Sequence, residues 1–261
     1  MVPFLSRPRP GPVTLGSTIP PMRRILRIAF ALVVLGAAPA AAQTVDEIVA
    51  KNLQAKGGAE KWQAIKSVRM TGKMTAQGTE MPLTVYAMRP NFNRQEITMP
   101  AGKAVQAFDG TTAWVINPML GIDTPQPVPG PASESARHSA DFDGALINYK
   151  QKGNTIDFVG KEKLGSKDVY HLKVTTKGGV VQHYFLDAEN GIELKMSAEV
   201  ERGGQKHTVN TEMSDYRSIN GILIPHTVTQ TADGKTLLTW TISNVEFNGL
   251  TDDSIFRMPK K

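Results

Sequence analysis

The stretch "VRMTGKMTA", residues 68–76, alternates between small or apolar and polar side chains at every step. Val68, Met70 and Met74 fall on one parity, and Arg69 and Lys73 fall on the other. Successive side chains of a β-strand point to opposite faces, so a period of two predicts a strand with one apolar face and one solvent-exposed face. The stretch "IELKMSAEV", residues 192–200, repeats the pattern.

Further strands are predicted along most of the chain, separated in many places by Asp-Gly, Asn-Gly or Gly-Gly turn signals. Because the connections are short and sequential, we expect an antiparallel meander of about eleven strands. The additional strands are predicted at residues 92–99, 103–108, 111–117, 155–161, 167–176, 180–187, 206–217, 222–232 and 236–247. The proline-rich stretch "NPMLGIDTPQPVPGP", residues 117–131, is predicted to stay outside the sheet, because proline cannot donate to a ladder.

Helices are few. A capping box, Thr44 with Glu47, predicts a first helix that ends at Gly57-Gly58. A short helix is expected at 59–66 and a helical region at 133–150, and Asp252 is expected to cap a turn presenting Ile255 and Phe256. These helices cannot cover some eleven strands laid flat. We therefore expect a mainly β fold, an open and strongly curved antiparallel sheet with a few helices as a lid over an apolar cavity.

Methionines dominate the apolar parity of these strands. An unbranched thioether side chain adapts to irregular shapes, so this lining suits a pocket for flexible chains, although methionine is also ordinary core filler. Both interpretations stay open. The predicted cavity lining from strand parity is Met70, Met74, Met81, Leu83, Val85, Met196 and Met213.

Residues 22–42, "MRRILRIAFALVVLGAAPAAA", have the pattern of a secretory signal peptide: a basic start, a short apolar run and small residues before a cut after Ala42. Residues 1–21 precede that leader as an extension, so residues 43–261 are the expected mature domain. The apolar run is too short for a membrane anchor. We expect a product that is soluble in the periplasm, with no lipidated cysteine because the chain has no cysteine.

Charge and motifs exclude several functions. Residues 1–42 hold five arginines and no acid, so removing them leaves 25 basic residues against 24 acidic ones. A net charge near zero and the lack of a basic patch give no support for nucleic-acid binding. The five histidines lie on different elements without metal-ligand spacing, and no nucleophile-elbow, phosphate-loop or dinucleotide motif is present. We expect no enzyme activity, no metal and no cofactor.

One segment resembles a known family. The stretch "MRPNFNRQEITMPAGKAVQAFDGTTAWVINPML", residues 88–120, is similar to the LolA/LolB-like outer-membrane lipoprotein-sorting proteins. The shared features are Arg-Pro-Asn at a strand end, a nearby phenylalanine, an Asp-Gly hairpin, a tryptophan and Asn-Pro. The opening "IVAKNLQAKGGAEKWQAIKSVRMTGKM" is typical of a less characterised branch.

The resemblance implies an apolar cavity that carries acyl chains and a lid held by the motif arginine, here Arg89. It also implies cavity roles for Phe92, which lies one residue closer to the motif than expected, and for Trp114. Arg89 follows Leu83, Val85 and Ala87 in the apolar series of the strand. Its guanidinium can donate to free carbonyls at helix ends of the lid. The alternative is that Arg89 lies at the strand end and extends its head to water.

The function implied is a monomeric periplasmic carrier of lipoprotein acyl chains or other lipids. Its partners would be an inner-membrane donor and an outer-membrane acceptor. The alternative is a ligand-sensing regulatory module of the same fold. Such modules carry a second domain, for which we expect no room after Pro259. An enzyme acting on a lipid inside the cavity is a third alternative, which the missing catalytic motifs disfavour.

Overall fold

The computed structural model of the chain describes residues 43–202 and 205–259. The predicted extension and signal peptide, residues 1–42, lie outside the described residues. Within the two described ranges, no helix is both long enough and apolar enough to cross a membrane.

Thirteen strands form one antiparallel sheet, which confirms the predicted mainly β meander. The chain runs outward from β1 to β6, returns through helices, and runs from β7 back to β13, which pairs with β1. β6 and β7 are the two edges and do not pair with each other, so the sheet is open. The strands are β1 Ser67–Ala76, β2 Thr79–Met88, β3 Phe92–Met99, β4 Gly102–Asp109, β5 Ala113–Asn117, β6 Ile122–Pro127, β7 Thr155–Leu164, β8 Lys167–Thr175, β9 Val181–Asp187, β10 Glu193–Arg202, β11 Gln205–Ile219, β12 Ile222–Ala232 and β13 Lys235–Phe247.

β6 corrects the prediction that the proline-rich stretch stays outside the sheet. Gln126 lies opposite Val115 and Pro127 lies opposite Trp114 in the β5–β6 pair. Proline is tolerated here because β6 is an edge strand, where a missing N–H that faces away from the ladder costs no hydrogen bond. An edge that contains prolines is also a poor template for pairing with another chain.

Four α-helices are present among the described residues: α1 Val45–Ala55, α2 Ala59–Ala64, α3 Pro131–Ala140 and α4 Tyr149–Lys152. The capping box predicted for α1 is confirmed: the Glu47 N–H donates to Thr44 Oγ1 at 3.3 Å, and the Thr44 N–H donates to Glu47 Oε2 at 2.8 Å. The helical region predicted at 133–150 is two helices, α3 and α4, separated by residues 141–148.

The helices lie on one side of the sheet, which we call the inner face. α1 packs Ile48 against Leu172 and Leu186 of the sheet, and α3 packs Ala136 and Ala140 against Phe108. The α1 contact is fixed by a buried hydrogen bond of 2.8 Å from Asn52 Nδ2 to the Gly191 carbonyl. Since directly paired residues share a face, the strand register assigns other side chains to the inner or the outer face.

The outer face of β3–β5 is covered by the end of the chain. The N-cap residue of the turn Ser254–Phe256 is Asp253, but the predicted residue Asp252 does accept a hydrogen bond of 2.8 Å from the Ser254 N–H at the start of the turn. Phe256 is fully buried, and its carbonyl accepts a hydrogen bond of 2.7 Å from Trp114 Nε1. Arg94 Nη1 donates to the Ile255 carbonyl at 2.7 Å, so the turn is held by both a strand and a buried indole.

Candidate functional site

An apolar surface occupies the middle of the inner face, and we call it the floor. Its members come only from strands β1–β3 and β11–β13, and no described helix contributes a residue to it. Strand alternation places their side chains on one face, but most of them are only partly buried. The buried members are Met74, Leu83, Val85, Ile242 and Val245, and the partly buried members are Val68, Met70, Ala76, Met81, Ile97, Ile219, Ile224, Leu238, Trp240 and Phe247.

The structure brings five of the predicted lining residues together in the floor: Met70, Met74, Met81, Leu83 and Val85. The other two methionines lie elsewhere. Met196 packs with the core beneath α1, whereas Met213 lines a separate cleft of about 360 Å³.

Trp114 and Phe92 are not part of the floor, which corrects the role implied by the resemblance. Trp114 lies opposite Ala107, which lies opposite Arg94, and this row is on the outer face. Phe92 shares that face, and its ring packs 5.4 Å from the ring of Phe256. Both aromatic residues therefore support the C-terminal turn.

Arg89 follows the last residue of β2 and reaches the end of α2. Its Nε donates to the Ile65 carbonyl at 2.8 Å, and its Nη2 donates to the Trp62 carbonyl at 3.2 Å. The last carbonyls of a helix have no partner inside the helix, so a guanidinium satisfies them well. The Arg89 side chain is only 22% exposed, so it does not extend freely into water.

Asp143 completes this contact with a charge that sequence reasoning missed. Its Oδ1 lies 2.7 Å from Arg89 Nη2 and accepts a hydrogen bond of 2.8 Å from Trp62 Nε1. The Arg89 guanidinium also lies 4.5 Å from the centre of the Phe142 ring. Burial alone would raise the pKa of Asp143, but the hydrogen bonds from Arg89 and Trp62 outweigh it and lower that pKa. We call Arg89, Trp62 and Asp143 the latch.

The segment that carries Asp143 is tied down at a second point. Lys152 Nζ of α4 lies 2.6 Å from Asp141 Oδ2 and donates to the Gly144 carbonyl at 2.7 Å. Residues 141–148 therefore lie within the connection between the two edge strands and are fixed both to α4 and to Arg89. None of the latch residues belongs to the floor.

Comparisons with known proteins identify the fold. Neither a protein-family model nor a curated protein matches the chain. Among solved structures, a LolA superfamily protein from Nitrosomonas europaea aligns with a TM-score of 0.56 at 16% identity, over 83% of this chain and 98% of that one. The chain has a LolA-like fold. A Vibrio parahaemolyticus domain named for outer membrane lipoprotein sorting aligns with a TM-score of 0.55 at 14% identity, over 82% of this chain and 97% of that one.

A third structure widens the comparison. A DUF1329 family protein from Desulfovibrio piger aligns with a TM-score of 0.58 at 12% identity, over 83% of this chain and 98% of that one. The alignments therefore span nearly the whole solved chain in all three cases. Structural similarity at identities this low shows the fold alone, so the function must be argued from the residues of the site.

Polar clusters of the LolA-like sheet lie away from the floor. A cleft of about 530 Å³ is lined by charged side chains including Lys161, Lys167 and Asp187. His171 Nε2 and His183 Nδ1, on the outer face of β8 and β9, are 2.7 Å apart. Among the residues that the structure describes, no group of three or more His, Cys, Asp or Glu is placed to hold a metal ion.

Proposed function

We propose that the protein is a periplasmic carrier that binds the acyl chains of lipoproteins or other lipids on the floor and delivers them toward the outer membrane. The proposal requires no cofactor and no covalent chemistry. An inner-membrane donor and an outer-membrane acceptor would be its partners.

The observation that carries the proposal is a contiguous apolar surface that is only partly buried. Monomeric soluble proteins rarely expose such patches without a binding role. Met70, Met81 and Leu238 are half-buried although each faces the helical side of the sheet. An acyl chain laid against them would gain about 0.8 kcal/mol per buried methylene.

The latch supports a site that opens and closes. A hydrogen bond to a charged group contributes about 1.5–3 kcal/mol. Arg89 makes two such bonds to carbonyls and one ion pair to Asp143. Burial of a dozen methylenes is about 10 kcal/mol on the same scale, so a long acyl chain can offset the loss of these contacts.

The names of two proteins with this fold agree with the proposal. One belongs to the LolA superfamily, and the other is named for outer membrane lipoprotein sorting. Both are distant in sequence, so they support a class of ligand and leave its identity to experiment.

Organic extraction of the protein purified from its native periplasm, followed by mass spectrometry, tests the proposal directly. A stoichiometric lipid or acylated peptide is the expected result. Purified protein that carries no such molecule and binds no added lipid would overturn the proposal.

Arg89→Leu tests the latch, with Arg69→Leu as a matched control. Arg69 lies on the outer face of β1, where its Nη1 is 3.6 Å from Glu246 Oε2 and its side chain is 46% exposed. We expect Arg89→Leu to change the rate of ligand release at least about tenfold, equivalent to one bond of about 1.4 kcal/mol, while Arg69→Leu has no effect. Equal release from both variants would contradict the latch.

A further inference from the structure

The inner face of β1–β6 contains a second surface beside the floor. Following one transverse row of paired residues, Met70 lies opposite Val85, Val85 opposite Gln95, and Gln95 opposite Gln106. The row continues through Val115 to Gln126 at the edge strand. The apolar floor thus passes into a strip of primary amides, Gln95, Gln106 and Gln126, on the same face.

The amides of this strip are available to a ligand. Gln106 and Gln126 are exposed, and Gln95 is partly buried. Gln126 donates to Thr124 Oγ1 at 3.0 Å, whereas the side chains of Gln95 and Gln106 have no protein partner among the described residues. A primary amide offers two donors and an acceptor oxygen and carries no charge.

No charge faces the ligand surface on these six strands, all of which lie inside the described part of the chain. Their charged residues belong to the rows that point to the outer face. Several are paired there with one another, as Lys73 is with Glu80 and Lys103 with Glu96. The outer-face set is Arg69, Lys73, Glu80, Arg94, Glu96, Lys103, Asp109 and Asp123.

On the inner side, Arg89 at the end of β2 and Arg137 of α3 are each paired with a carboxylate, Arg89 with Asp143 at 2.7 Å and Arg137 with Glu134 at 3.3 Å. A phosphate placed on the amide strip would lose part of its hydration without meeting an unpaired cation. An uncharged head group rich in hydroxyls or amides would exchange water for the strip at little cost.

We propose that the ligand is an amphiphile with an uncharged, hydrogen-bonding head group, and that Gln95 and Gln106 select it over anionic phospholipids. This inference rests on the proposed lipid site and names the chemistry of the head group. Two sources present that chemistry: the sugar of a glycolipid and the peptide amides beside the acyl chains of an acylated polypeptide.

Four probes with the same pair of acyl chains test the inference by competition with a fluorescent fatty acid on the full protein. They are a galactosyl diacylglycerol, an uncharged diacylglyceryl peptide amide, phosphatidylglycerol and phosphatidylcholine. We expect at least one uncharged probe to bind about tenfold more tightly than phosphatidylglycerol, the effect of one to two neutral hydrogen bonds. The first two probes distinguish the sugar from the peptide source.

The double variant Gln95→Leu/Gln106→Leu is expected to lose most of that preference. Thr98→Leu, on the outer face of β3, is the matched control and should retain it. Gln106→Lys should strengthen phosphatidylglycerol binding. Equal binding of all four probes, or a preference that survives the double variant, would overturn the head-group inference alone. Failure of every probe to bind would overturn the lipid site itself, and the inference with it.

Discussion

Two regions of the inner face follow the same sequence pattern and have different structures. On β8 and β9, Leu172, Val174 and Leu186 are fully buried, because Ile48 of α1 and Leu146 of segment 141–148 pack on them. On β1, β2 and β13, most floor residues are only partly buried, and no described helix packs into their cluster. Strand alternation identifies the inner face in both regions. The helical cover, and not the strand pattern, decides which region is fully buried and which stays mostly partly buried.

Leu172→Ala and Leu238→Ala make the same chemical change in the two regions. Removing a fully buried leucine costs the transfer free energy and leaves a cavity, so we expect Leu172→Ala to lower the free energy of unfolding by about 2–5 kcal/mol. Leu238 is partly buried in the floor, and we expect a loss of less than about 1 kcal/mol. Urea denaturation measures both. Equal losses would show that the floor is packed as tightly as the core.

Trp114→Phe separates the floor from the outer face. Trp114 is fully buried and donates to the Phe256 carbonyl. Phenylalanine keeps most of the ring but leaves that carbonyl unsatisfied, at a cost of about 1–3 kcal/mol. We expect lower stability with unchanged ligand affinity, measured by urea denaturation and by the competition assay. A change in ligand affinity without a change in stability would indicate that Trp114 belongs to the ligand site.

Trp114 also shows how far sequence patterns reach. Its neighbours Ala113 and Val115 face inward and pair with Phe108 and Gln106. Alternation assigns Trp114 to the other face once the register across the Asp-Gly turn is known. The sequence alone does not reveal that register, and the resemblance to a known family implied a cavity role for Trp114 without using it. Alternation within a single strand was sufficient to predict that Met70, Met74, Met81, Leu83 and Val85 share one face with the other floor residues.

Other features depend on contacts between distant parts of the chain. The hydrogen bonds from Arg89 to helix-end carbonyls agree with the expectation stated from the sequence. The ion pair between Arg89 and Asp143 was not expected. Asp143 lies in a segment read as helical, and no local spacing connects it to Arg89. In the same way, the prolines of residues 117–131 predict a loop. Only the strand order shows that β6 is an edge strand, where proline is allowed.

Asp143→Asn tests the charge of the latch while keeping an oxygen for Trp62. The Arg89–Asp143 pair is partly buried, with side chains 22% and 17% exposed. Removing one charge from such a pair should cost about 1–2 kcal/mol. We expect faster hydrogen exchange in residues 141–148 and unchanged exchange in β8 and β9, measured by mass spectrometry. Asp46→Asn removes an exposed ion pair with Lys150 and is the control. Equal exchange in residues 141–148 of the two variants would mean that the ion pair does not hold the segment.

The smallest effect is expected from pH, which acts on the two regions in different windows. His171 lies on the outer face of β8, opposite the face that α1 covers. Burial holds the pKa of His171 below its ordinary value of 6.5, and His183 and Lys195 also lower it. The carboxylate of Glu162 raises that pKa but does not outweigh them. The unfolded chain keeps the ordinary value, so it binds more protons in this window, and stability falls as the pH is lowered below about 6.5. Because the His171 ring is only partly buried, we expect this loss of stability to be smaller than that caused by Asp143→Asn.

The latch also loses stability as the pH falls, but it does so in a lower pH window. The lowered pKa of Asp143 means that its stabilising contribution is present above 3.8, its ordinary value, and is lost only as the pH falls through the lower pKa of the folded state. Between about pH 8 and about pH 5, unfolding free energies should therefore decrease slightly, while exchange protection of residues 141–148, corrected for intrinsic rates, stays constant. His171→Gln should remove most of the decrease. If the latch opened in the same window as the decrease, the two regions would be coupled through the sheet, and the floor would have to be treated as part of the core.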